Sequence, residues 1–393
     1  MRKIRMGMVG GGQGAFIGEI HRMAARLDGQ FELVCGAFSA DPFKSLVSGK
    51  KLYLAHDRCY ASYEQMFIEE SKLDESIRMD VAVIVTPNHL HYPVAKMALE
   101  YGFHVISDKP ATIDLTQAIA LKQQLLSSDL LYGLTHTYNG YPMVKEAKHR
   151  IAAGELGTIR KVLVEYSQGW LSSQDDEDSK QAAWRLDPQQ SGISCCVGDI
   201  GVHAANLAEY VSGLSIEQVC ASLTSNVEDR VLDDDASIML SFNSGAHGVL
   251  LSSQIAIGEE NRLTLRIYGD KASLEWSQME PNSLTIKHPD ATSVIRTGVG
   301  AISPLATACT RTPAGHPEGY IEAFANIYKQ FAAKLNARLD NLPESAFSLD
   351  LPGIDAAITG MAFIEGVVAA SQGEAKWHKL PSIELGDSLN AAD

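Results

Sequence analysis

The sequence predicts an α/β Rossmann-type unit with a doubly wound parallel sheet over residues 1–140. A C-terminal α+β unit with a large, mostly antiparallel open sheet follows over residues 141–393. Three observations predict this. A glycine-rich turn separates the first apolar run from the first helical pattern. Through the first third of the chain, short apolar runs alternate with helical segments, as β-α-β units require. After residue 145 or so the runs lengthen, alternate with a period of two and are joined by hairpin-type turns, which signals antiparallel strands.

The elements follow in order. "KIRMGMVG" (3–10) reads as a strand, 16–27 as a helix and "FELVCGAF" (31–38) as the second strand. Residues 62–73 are helical, and "DVAVIVTP" (80–87) has the β-branched and small apolar residues of a strand buried on both faces. A helix over 91–102 ends at a glycine, "HVISD" (104–108) is the next strand, and 114–129 is a helix with Asp114 at its N-cap. "LLYGLTHTY" (130–138) closes the first set. The later strands occupy 159–171, 215–227, 234–256, 261–278 and 283–289, with turns at "FNSG" and "YGDK". Helices over 199–212 and 317–338 interrupt and follow them, and "SSQDDEDSKQ" (172–181) reads as an acidic surface loop.

Composition narrows the partners. Lys+Arg 33 against Asp+Glu 48 leaves a net charge of −15, which argues against a nucleic-acid backbone or an anionic membrane surface. Backbone N–H groups still allow a phosphate-bearing small ligand. The six cysteines are scattered and form no C-x-x-C, so they read as reduced thiols in a cytoplasmic protein. The basic N-terminus breaks at once into glycines, and no stretch reaches the ~18 consecutive apolar residues of a membrane span.

Gly10-x-Gly12-x-x-Ala15, with Gln13 and Gly14 inside the turn, fits a dinucleotide fingerprint in the strand–turn–helix context it needs. The first glycine permits the tight turn, the second the approach of a pyrophosphate, and the small third residue close helix packing. The second strand's tip offers Phe38 and Ser39, then Asp41 and Lys44, with neither an acid nor an arginine at the tip itself. The cofactor is therefore NAD or NADP, with Ser39 and Lys44 as candidate contacts to a 2′-phosphate.

"SDKPAT" (107–112) places Lys109-Pro110 where a buried strand ends. Proline stops the ladder, and the lysine carries charge to the sheet edge where ligands of such folds bind. Asp199 and His203 are spaced i, i+4, so a helix presents both on one face. A histidine can accept the proton of an alcohol as hydride leaves its carbon, and a lysine can hold the developing alkoxide. His89-x-His91 lacks further ligands at suitable spacing, so no metal site is expected.

In order and spacing, the glycine turn, "TPNHLH" (86–91), "SDKP" (107–110) and "GDIGVHAANLAEYVSG" (198–213) resemble the Gfo/Idh/MocA oxidoreductase family, over nearly the whole chain. The resemblance implies that Thr86, Pro87, Asn88 and His91 lie along the cofactor. It also implies that Lys109-Pro110 matches the family's catalytic lysine and proline, and that Asp199 and His203 face that lysine across the cleft. Asp108 stands where the family usually has glutamate, and Asn139 where many members carry arginine. "SCCVGDIG" replaces a more glycine-rich stretch.

Tyr138, Trp184, Arg185, Arg311, His316 and Tyr320 are candidates either for sugar hydroxyl contacts or for structural roles. The expected activity is an NAD(P)-dependent dehydrogenase or reductase moving hydride between nicotinamide and a hydroxyl carbon of a sugar, inositol or related polyol. A redox-neutral glycoside-cleaving or epimerising enzyme with tightly bound NAD, and a non-catalytic dinucleotide or sugar sensor, are the alternatives. The resemblance further implies a homodimer or homotetramer formed through the C-terminal sheet.

Overall fold

In the computed structural model, which describes residues 2–174 and 180–381, the chain builds two sheets; residues 175–179 of the acidic loop lie outside the described residues. The first sheet has the order β2-β1-β3-β4-β5. Its strands are β1 (Ile4–Gly10), β2 (Phe31–Ala37), β3 (Val81–Val85), β4 (His104–Ser107) and β5 (Tyr132–Leu134). All of its pairings are parallel. The helices between them are α1 (Phe16–Leu27), α2 (Pro42–Lys51), α3 (Tyr63–Ser71), α4 (His91–Glu100) and α5 (Leu115–Leu126). Every residue of β3 is buried, which is why it reads as an unbroken apolar run. Because β2 and β3 flank β1 on opposite sides, the strand order reverses at β1 and a crevice opens at its carboxyl end.

Helix α2 is absent from the sequence reading, although its signal is local. Asp41 caps it, accepting from Phe43 N (2.9 Å) and Lys44 N (3.2 Å), and Pro42 fills the first turn.

The second sheet has the order β13-β12-β11-β10-β6-β9-β8-β7-β14. It is made of β6 (Ile159–Ser167), β7 (Ile216–Thr224), β8 (Asp235–Phe242), β9 (His247–Ser253), β10 (Arg262–Gly269), β11 (Ser273–Ser277), β12 (Ser283–Lys287), β13 (Thr292–Arg296) and β14 (His378–Lys379). All of its neighbours run antiparallel except β6 and β9. Ala236, Ile238, Leu240 and Phe242 of β8 face the core, while Met239, Leu251 and Tyr268 lie on the exposed side. The core side is covered by α6 (Pro142–Ala152), α9 (Val202–Ser212) and α13 (Ile354–Gln372).

Two late helices belong to both layers. In α11 (Tyr320–Leu339), Phe324, Tyr328, Phe331 and Leu335 pack with Met8, Ile20 and Phe31 of the first sheet and its helix α1. Helix α13 places Ala357 in the first core and Met361, Phe363 and Val367 in the second. By length and composition α13 is apolar enough to cross a bilayer. Here it is a core helix, and its Glu365 accepts from Leu115 N at 2.7 Å.

Candidate active site

The glycine turn sits in the crevice. Gly10, Gly11 and Gly14 have φ of 83°, 67° and 79°, a region open to glycine and costly to other residues. A Cβ on Gly10 would lie 2.8 Å from the Val85 carbonyl oxygen, and one on Gly12 2.6 Å from that of Phe38. The close helix–strand contact assigned to Ala15 belongs instead to Gly18, whose Cβ would stand 2.3 Å from Gly11 Cα. Ala15 is the N-cap of α1, and its side chain cannot cap. Helices α2, α3 and α5 each have a capping side chain, whereas α1, like α4, has none, and α1 starts at the glycine turn with its first N–H groups uncapped. An anionic pyrophosphate is the ligand such a turn fits, and the turn therefore fits a nicotinamide dinucleotide.

A groove of about 610 Å³ runs from this turn, lined by Gly10, Gly12, Ala15 and Ser39 and by Thr86, Pro87, Asn88, His91, Asp108 and Lys109. Trp184 and Arg185, from α7 (Lys180–Arg185), close its side. Gln13 and Gly14 belong to the turn without lining the groove; Gln13 N donates to Ser48 Oγ at 3.1 Å. Lys44, in the first turn of α2, is exposed and lines no part of the groove, a correction to its role as a phosphate contact.

Two loop residues act on the groove through the backbone. His91 lies buried with Nδ1 2.6 Å from the Pro110 carbonyl and Nε2 2.9 Å from that of Thr86. Burial lowers its pKa against the pull of these carbonyls, and the ring ties the β3 exit to the β4 exit. Asn88 Nδ2 donates to Ser191 O at 2.9 Å and so joins the same loop to α8 (Pro188–Ser191).

Lys109 leaves β4 through a cis peptide to Pro110, and Pro110 packs beneath it beside Leu134 and Val202. The Lys109 backbone N–H and the Thr135 hydroxyl both donate to Asp108 Oδ1, at 2.9 and 2.8 Å. The Lys109 ammonium then donates to the Asp199 carbonyl (2.5 Å) and to Asp199 Oδ1 (2.8 Å). The other carboxylate oxygen accepts from Arg185 Nε and Gln254 Nε2, both at 3.0 Å. Burial opposes ionisation of Asp199, but the Arg185 and Lys109 charges outweigh it and hold the carboxyl well below the usual range.

Asp199 lies in a π-helical turn (Val197–Gly201) that runs into α9, rather than at the start of a regular helix. Buried Asp233 secures that turn. It accepts from Cys195 N (3.0 Å), Val197 N (2.9 Å) and Ser194 Oγ (3.0 Å). His203, in the first turn of α9, is 8% exposed and stands edge-on to Tyr138 at 5.0 Å between ring centroids. Burial first, and then the Lys109 charge, lower its pKa well below the histidine range, so the ring is neutral. Beside it, at 5.6 Å, His136 is buried with neither ring nitrogen partnered among the described residues, and burial lowers its pKa to about 3.

A second cavity of about 460 Å³ opens from the groove, and Asp108, Lys109, Arg185 and Asp199 line both. His203, Tyr138 and Tyr320 face it. Its wall also carries Tyr166, Gln168 and Asn261, which sequence reasoning missed. The Tyr138 and Tyr166 hydroxyls are hydrogen-bonded to each other. Tyr166 OH donates to Asn261 Oδ1 at 2.7 Å, Gln168 Nε2 donates to the same oxygen at 2.6 Å, and Trp170 Nε1 donates to Gln168 Oε1 at 2.9 Å. This wall of hydroxyls, amides and aromatic faces matches the surface of a polyol.

Arg311 does not join the cavity, which corrects its reading as a sugar contact. Its guanidinium is spent on Asp28 at 2.8 and 2.5 Å and on the Glu322 carbonyl at 3.1 Å. His316 is exposed and lies outside both cavities.

Residues 4–136 match the description "Oxidoreductase family, NAD-binding Rossmann fold", and residues 144–275 match "GFO/IDH/MocA C-terminal domain". The chain is 32% identical over 382 residues, 96% of either chain, to the uncharacterized oxidoreductase YfiI of Bacillus subtilis. It is 24% identical over 310 residues to the levoglucosan dehydrogenase of Pseudarthrobacter phenanthrenivorans, covering 73% of this chain and 76% of that one. Among solved structures, an inositol dehydrogenase homolog from Azotobacter vinelandii, complexed with NADH and myo-inositol, is similar at a TM-score of 0.88. The identity there is 33%, and the match covers 96% of this chain and 97% of that one.

Proposed function

The chain belongs to the Gfo/Idh/MocA family of oxidoreductases, and on that premise we propose that it is an NAD(P)-dependent dehydrogenase that oxidises one hydroxyl of an inositol, sugar or related polyol to a ketone. One observation carries this reading. The Lys109 ammonium, paired with Asp199, stands at the junction of a dinucleotide-sized groove and a polar cavity, with a neutral His203 in the cavity wall. The activities named for the relatives, on inositol and on levoglucosan, support the substrate class.

When bound, the nicotinamide cofactor supplies the hydride acceptor. Gly10, Gly12 and the uncapped start of α1 would hold its pyrophosphate, and the Thr86–Asn88 loop would lie along it. His203, being neutral, accepts the hydroxyl proton of the substrate. Lys109 stabilises the negative charge that grows on the oxygen. Asp199 keeps the ammonium aimed, while Arg185 and Gln254 hold the carboxylate in place. The Tyr138–Tyr166–Asn261 wall orients the remaining hydroxyls. Self-association through the exposed face of the second sheet, where Met239, Leu251 and Tyr268 lie, belongs to the same reading.

The test is a panel of inositols and sugars assayed with NAD and NADP for nicotinamide reduction at 340 nm (the wavelength is a property of the reduced ring). At least one polyol should give turnover that Lys109→Ala removes. A folded protein that binds NADH yet reduces neither NAD nor NADP with any member of the panel would overturn the polyol assignment.

A further inference from the structure

The adenosine end of the groove is assembled from two segments that run side by side. Gly36 of β2 pairs in parallel with Cys59, and Tyr60 N donates to Gly36 O at 2.9 Å. The Ser45 hydroxyl accepts from Phe38 N (2.9 Å) and donates to the Tyr60 carbonyl (2.7 Å), so the two segments stay together past the strand's end. Continuing that register brings Phe38, Ser39 and Ala40 alongside Ala61, Ser62 and Tyr63, and all six line the groove. Glu64 is the one charged residue lining this end among the described residues. The two Lys or Arg side chains that line the groove, Lys109 and Arg185, are both engaged with Asp199 at the other end.

Two helices also begin here, and a helix N-terminus is where a phosphate would otherwise be welcome. Both are closed. Asp41 caps α2 with its carboxylate, as described above. Ser62 caps α3 by accepting from Gln65 N at 3.3 Å, and Glu64 adds a negative charge in that helix's first turn. A 2′-phosphate at this end would meet the Glu64 carboxylate and no lining cation, whereas a free 2′-hydroxyl could donate to that carboxylate.

We infer that Glu64 makes this end of the groove reject a 2′-phosphate, so that the chain selects NAD over NADP. The inference rests on the dinucleotide-binding reading proposed above. It assigns the acidic role to a side chain of α3, because the second strand's tip has no acid to offer.

The experiment is fluorescence titration of the full chain with NADH and with NADPH, which reads binding without any substrate. Wild type should bind NADPH at least about tenfold more weakly than NADH. Glu64→Gln should narrow that ratio several-fold, with NADPH affinity rising. Equal affinities in wild type, or an unchanged ratio in Glu64→Gln with NADH binding intact, would overturn the inference and leave the dehydrogenase reading standing. Failure of wild type to bind either dinucleotide would overturn both.

Discussion

At the scale of single residues, the chemistry depends on a carboxylate-paired ammonium set close to a neutral imidazole. Lys109 is paired with a carboxylate at 2.8 Å, while His203, one helical turn from that carboxylate, is buried and neutral. If Lys109 acts on charge that appears only in the transition state, Lys109→Ala should lower turnover by at least ~10²–10³ while NADH affinity, read by fluorescence, stays nearly unchanged. The sign of the pH effect at His203 follows from its lowered pKa. Above that pKa the ring is a competent base and the rate is flat; activity falls only as the pH drops through it. The acid limb of kcat/KM should therefore lie below the ordinary histidine range, and His203→Asn should remove the limb along with most of the rate. A wild-type limb at an ordinary histidine pKa would contradict the burial seen here.

At the scale of elements, two local contacts decide whether the site is assembled. The first is the crossing of α1 over β1. Gly18→Ala would push a methyl to 2.3 Å from Gly11 Cα, a backbone contact that no rotamer change relieves. That variant should lose about 1–3 kcal/mol of stability and bind NADH poorly. Gly14→Ala meets nothing within 4 Å and carries only the cost of its positive φ, so it should be the milder change in urea melts of the pair. The second contact is the hold of Asp233 on the π-helical turn. Asp233→Ala would leave the Cys195 and Val197 N–H groups buried and unpaired, at about 1–3 kcal/mol for each group. Denaturant unfolding measures the loss, and turnover per folded molecule should also fall, because Asp199 stands on that turn.

At the scale of the whole molecule, buried histidines set the acid limit of stability. Burial lowers His21 and His104 to about 4 and His136 to about 3. The unfolded chain takes up protons on these rings near their ordinary pKa of about 6.5, where the folded chain refuses them. Their stabilising effect is thus complete above about pH 6.5 and is lost as the pH falls toward 4. Glu209 works in the other direction, since burial raises it to about 7 and the folded state holds its proton longer. Three histidines outweigh one carboxylate, so Tm followed by circular dichroism should drop between pH 7 and pH 4.5. The exposed side of the second sheet gives a separate expectation. Light scattering should find a dimer or tetramer, and Leu251→Glu, which places a charge on that face, should shift it toward monomer.

Much of this was legible locally. The β-α alternation, the glycine turn, the lysine and proline after β4 and the aspartate one turn before a histidine depend on neighbours a few positions apart. Periodicity and turn chemistry record such neighbours directly. The helix over 42–51 carries a local signal too, in Asp41-Pro42 at its start. Other features have no local signature. Gln254 reaches Asp199 across 55 positions of chain and Arg311 reaches Asp28 across 283. The wall of Tyr138, Tyr166 and Asn261 forms because β6 lies beside β10 and in front of α9. The sequence by itself determined which residue types stand at strand ends and on helix faces, because those depend on backbone geometry within a turn or two. Only the tertiary structure decided which arginine lines the polar cavity, paired there with Asp199, and which is spent on the remote Asp28. Strand order and helix return bring those partners together, and neither is written in any short stretch of chain.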